Sequence, residues 1–255
     1  MIRRNQTRIT EVLLLGFQSQ SYWKVILFML LFIVYTVTIC GNLILILLVV
    51  FCRNLHYPMY MFLVQLSISD ILLTTDIIPN TLAGILSDGV VMSLSGCITQ
   101  LYIFGGSEAS ECFILTAMAY DRYLAICNPL RYTSIMNMTL LVKLSILSWV
   151  SGFSFTLVTT LSFFSLEFCG PNVIDHFFCD LEPILQLSCS EVFHVKVEVV
   201  LMSIFVMVLP LVLTATSYWC IVQVILKMSS IVHRSKAFST CSSHLTVVCL
   251  FYGTL

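Results

Sequence analysis

The 255-residue chain is 59% hydrophobic and only 10% charged, with a formal net charge of -1, against about 25% charged residues in soluble globular domains. That balance excludes an ordinary soluble domain, and without a basic run or a strand-helix phosphate motif it gives no support to nucleic-acid binding. What remains is a polytopic membrane protein.

The first 23 residues lack the short apolar core and small-residue cleavage site of a signal peptide, so the first span is expected to serve as the insertion signal. This tail carries Arg3, Arg4, Arg8 and the sequon Asn5-Gln6-Thr7, whose Asn5 is glycosylated only if it reaches the lumen. An uncharged run at 25–51, containing Gly41-Asn42, has spanning length and is the first predicted helix. A short basic turn, Arg53 to Tyr60, places Pro58 in the first turn of a second helix over 57–86, which carries Asp70, Asp76 and Pro79. The link that follows holds Gly and Ser for turns and no Lys or Arg.

The third predicted helix, 97–126, contains Glu108 and Glu111 and closes on Asp121-Arg122-Tyr123. Ionisable groups in hydrocarbon cost roughly 2.5–3.5 kcal/mol each, which puts Asp121 and Arg122 at a membrane boundary. Cys97 lies roughly 37 Å from Arg122 at 1.5 Å per residue, so the two ends face different compartments. A loop through Pro129, Arg131 and Asn137 leads to a fourth helix over 140–164. The long loop 165–196 then gathers Cys169, Cys179 and Cys189 with Glu167, Asp175, Asp180, Glu182 and Glu191. A fifth helix, 197–226, carries Pro210 in mid-span. A basic link from Lys227 to Lys236 precedes the sixth, 237–255, which is still running where the chain stops. The six helices are expected to form one all-α membrane domain, 1–255.

Sidedness follows from the loops. Links after helices one, three and five hold Arg53, Arg122, Arg131, Lys227, Arg234 and Lys236, whereas those after two and four hold only Lys196, so the former are expected in the cytosol. The arginines of the tail and Lys24 argue the other way. The sum over the later links and the sequon outweigh them, placing the amino terminus outside. Cys97, Cys169, Cys179 and Cys189 then share the oxidising side, where four cysteines allow three pairings. Asp70 lies about 20 Å into the second helix and Glu111 about 16 Å from Arg122, so the two carboxylates reach similar depth. They are expected to share a cation, a proton or polar partners.

Gly41-Asn42, Leu55-His56-Tyr57-Pro58-Met59-Tyr60, Leu66-Ser67-Ile68-Ser69-Asp70, the stretch Met118 to Arg131 and Lys236 to Leu245 together resemble the olfactory receptors, a branch of the rhodopsin-like G-protein-coupled receptors. Asp-Arg-Tyr alone is weak. Met-Ala-Tyr-Asp-Arg-Tyr-Leu-Ala-Ile-Cys followed by Pro-Leu-Arg-Tyr, with Lys-Ala-Phe-Ser-Thr-Cys-Ser-Ser-His later in the chain, is specific. Six of the family's seven helices are accounted for, and the expectation is a chain cut within the sixth.

The resemblance implies a plasma-membrane chemosensor that binds small volatile odorants and activates a heterotrimeric G protein of the stimulatory olfactory class. It implies Asp121, Arg122 and Tyr123 as the G-protein switch, and a sodium site at Asp70 and Glu111 with Asn42 and Ser107 as helpers. Carried over by position, the odorant cavity is expected to involve Phe104, Gly105, Glu108, Ala109, Cys112, Met202, Ser203, Val206, Met207 and Tyr252. Glu108 and Glu111 are expected on one face of the third helix, one turn apart. If Glu108 faces the cavity in ionised form, the ligand is basic; if it is protonated or bonded to Ser203, a neutral hydrogen-bonding odorant fits.

No enzyme is expected, because Ser239, Ser242 and Ser243 have no acid-base relay and Cys241, His233 and His244 form no metal quartet. No cofactor is implied beyond the sodium ion. The competing readings are a non-signalling receptor fragment and a proton or cation transporter using Asp70, Glu108 and Glu111. The second would require inverted repeats with interrupted helices, which the sequence does not display.

Overall fold

The computed structural model describes residues 9–16, 21–169 and 171–254; the sequon at Asn5 lies outside them. Helix α1, Ser21–Phe51, buries only Val49, as an apolar helix facing lipid along most of its surface should. Helix α2, Pro58–Ser87, starts on Pro58, where the missing N–H costs nothing, and ends at Asp88 in the left-handed region (φ 58°). Helix α3, Leu94–Cys127, is capped by Ser93, whose hydroxyl accepts from the Gly96 N–H at 3.0 Å. After it, Pro129 opens the short helix α4, Pro129–Ile135. Asn137 then caps α5, Met138–Phe164, accepting from the Leu140 N–H at 2.9 Å.

Beyond α5 come a one-and-a-half-turn helix α6, Leu181–Gln186, and then α7, Phe193–Ser203, a π-helical turn at Ile204–Val208, α8, Leu209–Lys227, and α9, Ile231–Thr254. The π turn has a local cause. Pro210 offers no N–H, and the Leu209 N–H reaches back five residues to the Ile204 carbonyl. The sixth helix begins earlier than the pattern at 237 predicts, because Arg234 and its neighbours continue the helix beyond the apolar run.

Among the described residues, four stretches, Ser21–Phe51, Pro58–Ser87, Met138–Phe164 and Phe193–Lys227, are long and apolar enough to cross a membrane. Helices α3, 34 residues, and α9, 24 residues, are long enough at about 51 and 36 Å but more polar. Helix α3 is the axis of the bundle, with buried residues along most of its length. It meets α5 closely: a Cβ on Gly152 would fall 2.6 Å from the Ser110 backbone nitrogen and 2.9 Å from the Gly106 carbonyl oxygen. Small residues at that crossing let the two backbones approach without lipid between them.

The ends of the bundle carry structure that the hydrophobic pattern did not reveal. At the Cys97 end, β1, Glu11–Leu14, pairs antiparallel with β2, Val90–Ser93, and parallel with β3, Val173–Ile174, giving the order β2-β1-β3. The amino-terminal segment and the loops after α2 and α5 thus form one small sheet. Its inward side chains, Val12, Leu14 and Ile174, join Cys97, Ile98, Phe163 and Cys179 in a buried cluster.

Candidate functional site: a cavity at one end of α3 and an ion-paired switch at the other

Beneath the sheet, a cavity of about 270 Å³ opens between α3, α5 and the α7–α8 span. Phe104, Gly105, Glu108, Ala109 and Cys112 supply one wall from successive turns of α3, and Met202, Ser203, Val206 and Met207 the wall around the π turn. These nine were expected in the cavity. Tyr252, expected with them, does not line it: it sits beside Cys112 and packs on the cluster formed by Phe62, Ile114, Leu115 and Met118.

Three further contributions add to the lining. Helix α5 presents Thr156, Thr159 and Thr160, the long loop lowers Asp180 into the mouth, and Phe155 and Phe163 add apolar surface. Asp180 arrives there because Cys179, its neighbour, is bridged to Cys97 on α3, with Cα atoms 5.4 Å apart. Gln100 secures the same junction: its side-chain amide donates to the Asp76 carbonyl at 2.7 Å and accepts from the Cys179 N–H at 3.0 Å. A second bridge, Cys169 to Cys189, closes the loop on itself with Cα atoms 5.8 Å apart.

Glu108 and Glu111 do not act on one wall. Positions three apart on a helix differ by about 60° in direction, and here that difference separates two sites. Glu108 faces the cavity, while Glu111 turns toward α2, within electrostatic reach of Asp70 and hydrogen-bonding reach of Ser69. Asn42 of α1 lies within hydrogen-bonding reach of Asp70. The Ser69 hydroxyl donates to the Ser107 carbonyl at 3.2 Å. Glu111 Oε1 and Ser107 Oγ are buried without a hydrogen-bond partner among the described residues. A cluster of two carboxyl groups and two hydroxyls, with two oxygens unmet among the described residues, suits a hard cation or a shared proton. Among the described residues no three His, Cys, Asp or Glu side chains are grouped to hold a metal, so any ion here has two carboxylates at most.

At the opposite end of α3, Asp121 is fully buried and holds two partners. One oxygen, Oδ2, accepts from Arg122, with Nε at 3.0 Å and Nη2 closer; the other, Oδ1, accepts from the Tyr132 hydroxyl of α4 at 2.8 Å. Burial first, and the Asp121 carboxylate second, push the Tyr132 hydroxyl above its ordinary range, so it remains a donor. Tyr123 packs beside Ala119, Tyr218, Ile221, Ile225 and Cys241. In this cluster the Tyr218 hydroxyl of α8 meets Nδ1 of the buried His244 of α9, fastening the two helices next to Arg122, while His244 Nε2 has no partner among the described residues. That pair was not anticipated. His244 was visible in the sequence, but its partner lies 26 residues earlier on another helix.

Comparison with known proteins agrees with this architecture. A family model described as "Olfactory receptor" matches residues 31–255. Human olfactory receptor 11L1 is 45% identical over 252 residues, covering 99% of this chain and 78% of that receptor. Human olfactory receptor 10A7 is 43% identical over 254 residues, covering 100% and 80%. Rat olfactory receptor 226 is 40% identical over 258 residues, covering 99% and 79%. The helical bundle, its spanning lengths and a match over nearly the whole chain lead to one conclusion: this is a multi-pass membrane protein of the olfactory receptor family of G-protein-coupled receptors, and not an enzyme.

Proposed function

We propose that the protein is an odorant receptor whose α3 couples a ligand cavity at the outer side of the plasma membrane to a G-protein contact at the inner side. The chain acts as a single receptor domain with its amino terminus outside, Asn5 available for glycosylation, and the Cys97–Cys179 and Cys169–Cys189 bridges holding the outer loop over the cavity. The carrying observation is that one continuous helix bears both Glu108 in the cavity wall and the Asp121–Arg122 pair at its far end. A small odorant occupies the space bounded by Phe104, Met202, Val206 and Met207. Its binding energy is modest because few atoms are buried.

At rest Arg122 stays on Asp121. Activation swings α9 away from α3 and α8, frees Arg122, and exposes it with Tyr123 to a heterotrimeric G protein of the stimulatory class. Asp70, Glu111 and Asn42, with Ser69 and Ser107, hold a sodium ion that favours the resting bundle. The unmet Glu111 and Ser107 oxygens fit that role.

Surface labelling and a cyclic-nucleotide assay against a panel of volatiles test this reading. The expected result is a concentration-dependent rise that disappears in Arg122→Ala at equal surface level. An unaltered response in that variant would refute the switch, and surface protein silent to the whole panel would refute the odorant role.

A further inference from the structure

The cavity wall is chemically one-sided. Glu108 and Asp180 face the same space and lie within electrostatic reach of each other, and no Lys, Arg or His is among the described lining residues. The nearby loop-side cation, Lys196, is committed to Glu182 at 3.2 Å. One Asp180 oxygen, Oδ1, accepts from the Leu181 N–H at 2.7 Å, capping α6 and fixing the carboxylate while its second oxygen stays available.

The hydroxyls of the wall repeat the pattern. Ser203 donates to the Val199 carbonyl at 2.8 Å, Thr156 to Gly152 at 3.0 Å, Thr159 to Phe155 at 3.2 Å and Thr160 to Thr156 at 2.8 Å. Each hydroxyl proton is spent on its own helix, so what these groups turn toward a ligand is lone pairs. Carboxylates and spent hydroxyls make a wall of acceptors. Such a wall rewards a ligand rich in donors and carrying positive charge, and it repels an anion.

We propose that the cavity selects a small protonated amine, its ammonium group seated between Glu108 and Asp180, with the hydroxyls of α5 as further acceptors and its carbon skeleton against Met202, Val206 and Met207. This assignment rests on the receptor reading and narrows its ligand to one chemical class. An ammonium supplies three donors, enough for both carboxyl groups and one hydroxyl, and favours the ionised form of two neighbouring acids that have no counter-ion among the described lining residues. An alcohol of the same skeleton supplies one donor and no charge. The cavity volume, just below the range of about 300–1,000 Å³ usual for drug-sized ligands, keeps the skeleton small.

The experiment uses the chain in lipid nanodiscs and, in parallel, at the cell surface. Primary amines, alcohols and carboxylic acids of matched carbon skeleton are compared by ligand-induced thermal stabilisation and by cyclic-nucleotide response. Stabilisation by amines alone is expected. Glu108→Gln and Asp180→Asn should each weaken the apparent amine affinity about ten- to hundredfold. Asp180→Asn keeps the amide oxygen that caps α6, so its loss of affinity reports charge and not a lost cap. The amine-alcohol comparison on the unaltered chain needs no variant to fold. Alcohols that stabilise the protein where amines do not, with the effect removed by Met202→Trp, would overturn the amine assignment and leave the receptor reading standing. Amine binding unchanged in both carboxylate variants would overturn the seat. Amine binding without any signal would count against the receptor reading and leave the amine site intact, and no binding of any class would sink both.

Discussion

The Tyr132 hydroxyl donates at 2.8 Å to the same buried carboxylate, that of Asp121, whose other oxygen holds Arg122. The short helix after α3 is therefore tied to the switch itself. Removing that hydroxyl leaves a fully buried oxygen of Asp121 without its partner, a loss that falls on the resting arrangement. Since Tyr132 is only half-buried, the cost is taken at about 0.5–1.5 kcal/mol, which shifts the resting-active balance about two- to tenfold. Tyr132→Phe should therefore raise basal cyclic nucleotide at unchanged surface level. A raised phenol pKa means the bonded form is fully present below the free value near 10 and is lost only as pH rises beyond it. The contact should accordingly give basal activity no pH dependence between pH 6 and pH 8. A variant no more active than the parent would show that Tyr132 does not restrain the switch.

Sodium should be visible through Glu111. Two carboxylates beside a Glu111 oxygen with no partner among the described residues gain from a bound cation, and more from a small one than from a larger one of equal charge, because attraction falls with distance. At ten times its dissociation constant, sodium would add about 1.4 kcal/mol, or about 3–6 °C in Tm for a chain of this size. Replacing sodium by potassium should remove that increment, and Glu111→Gln or Asp70→Asn should make the protein indifferent to the exchange. Equal sensitivity in parent and variants would overturn a sodium site at these carboxylates.

Much of the bundle was legible because its signals are local. Uncharged runs of spanning length, Pro58 at a helix start and the basic links all act within a few residues. The sheet was not legible: Glu11-Val12-Leu13-Leu14 has no alternation to mark it as a strand, and its partners lie about 80 and 160 residues away. The α3 and π-turn walls of the cavity follow from the family resemblance, whereas in the sequence Asp180 is one acid among five in a loop. Its place in the mouth, beside the bridged Cys179, depends on which of three pairings that cysteine adopts. Thr156, Thr159 and Thr160 repeat at helical spacing on the fourth span, a polar stripe in an apolar helix that does carry a signal. Treating Glu108 and Glu111 as one face ignored the 60° between them, which is as wide as the boundary between two sites.

The α3–α5 crossing should be intolerant of a single methyl. At Gly152 the new Cβ would meet backbone atoms of Ser110 and Gly106, which cannot rotate away as a side chain can. The helices must separate, at about 1–3 kcal/mol, or about 2–4 °C in Tm for each kcal/mol. Gly152→Ala should therefore unfold earlier in detergent and reach the surface poorly. Gly41, where an added Cβ meets nothing within 4 Å, is the matched control, and Gly41→Ala should be neutral or slightly stabilising because alanine is the better helix former. Equal melting of the two variants would mean the crossing is loose.

The two bridges should differ in what their loss costs. Cys97–Cys179 joins positions 82 residues apart and Cys169–Cys189 positions 20 apart. In the chain-entropy account a loop of about 15 residues is worth about 3 kcal/mol and one of about 100 residues about 4.7, so the longer link contributes more. Both of its cysteines are fully buried in the cluster beneath the sheet, so removing either also leaves a void there. Cys97→Ala should lower Tm by several degrees more than Cys189→Ala. It should also loosen Asp180, whose place in the mouth depends on its bridged neighbour, and amine affinity should fall even though neither carboxylate has been touched. Cys189→Ala, by contrast, leaves the tether to α3 in place and should bind the amine as the parent does. Melting curves and amine titrations on the two variants decide it: equal losses of affinity would show that Asp180 is positioned by the loop as a whole and not by its link to α3.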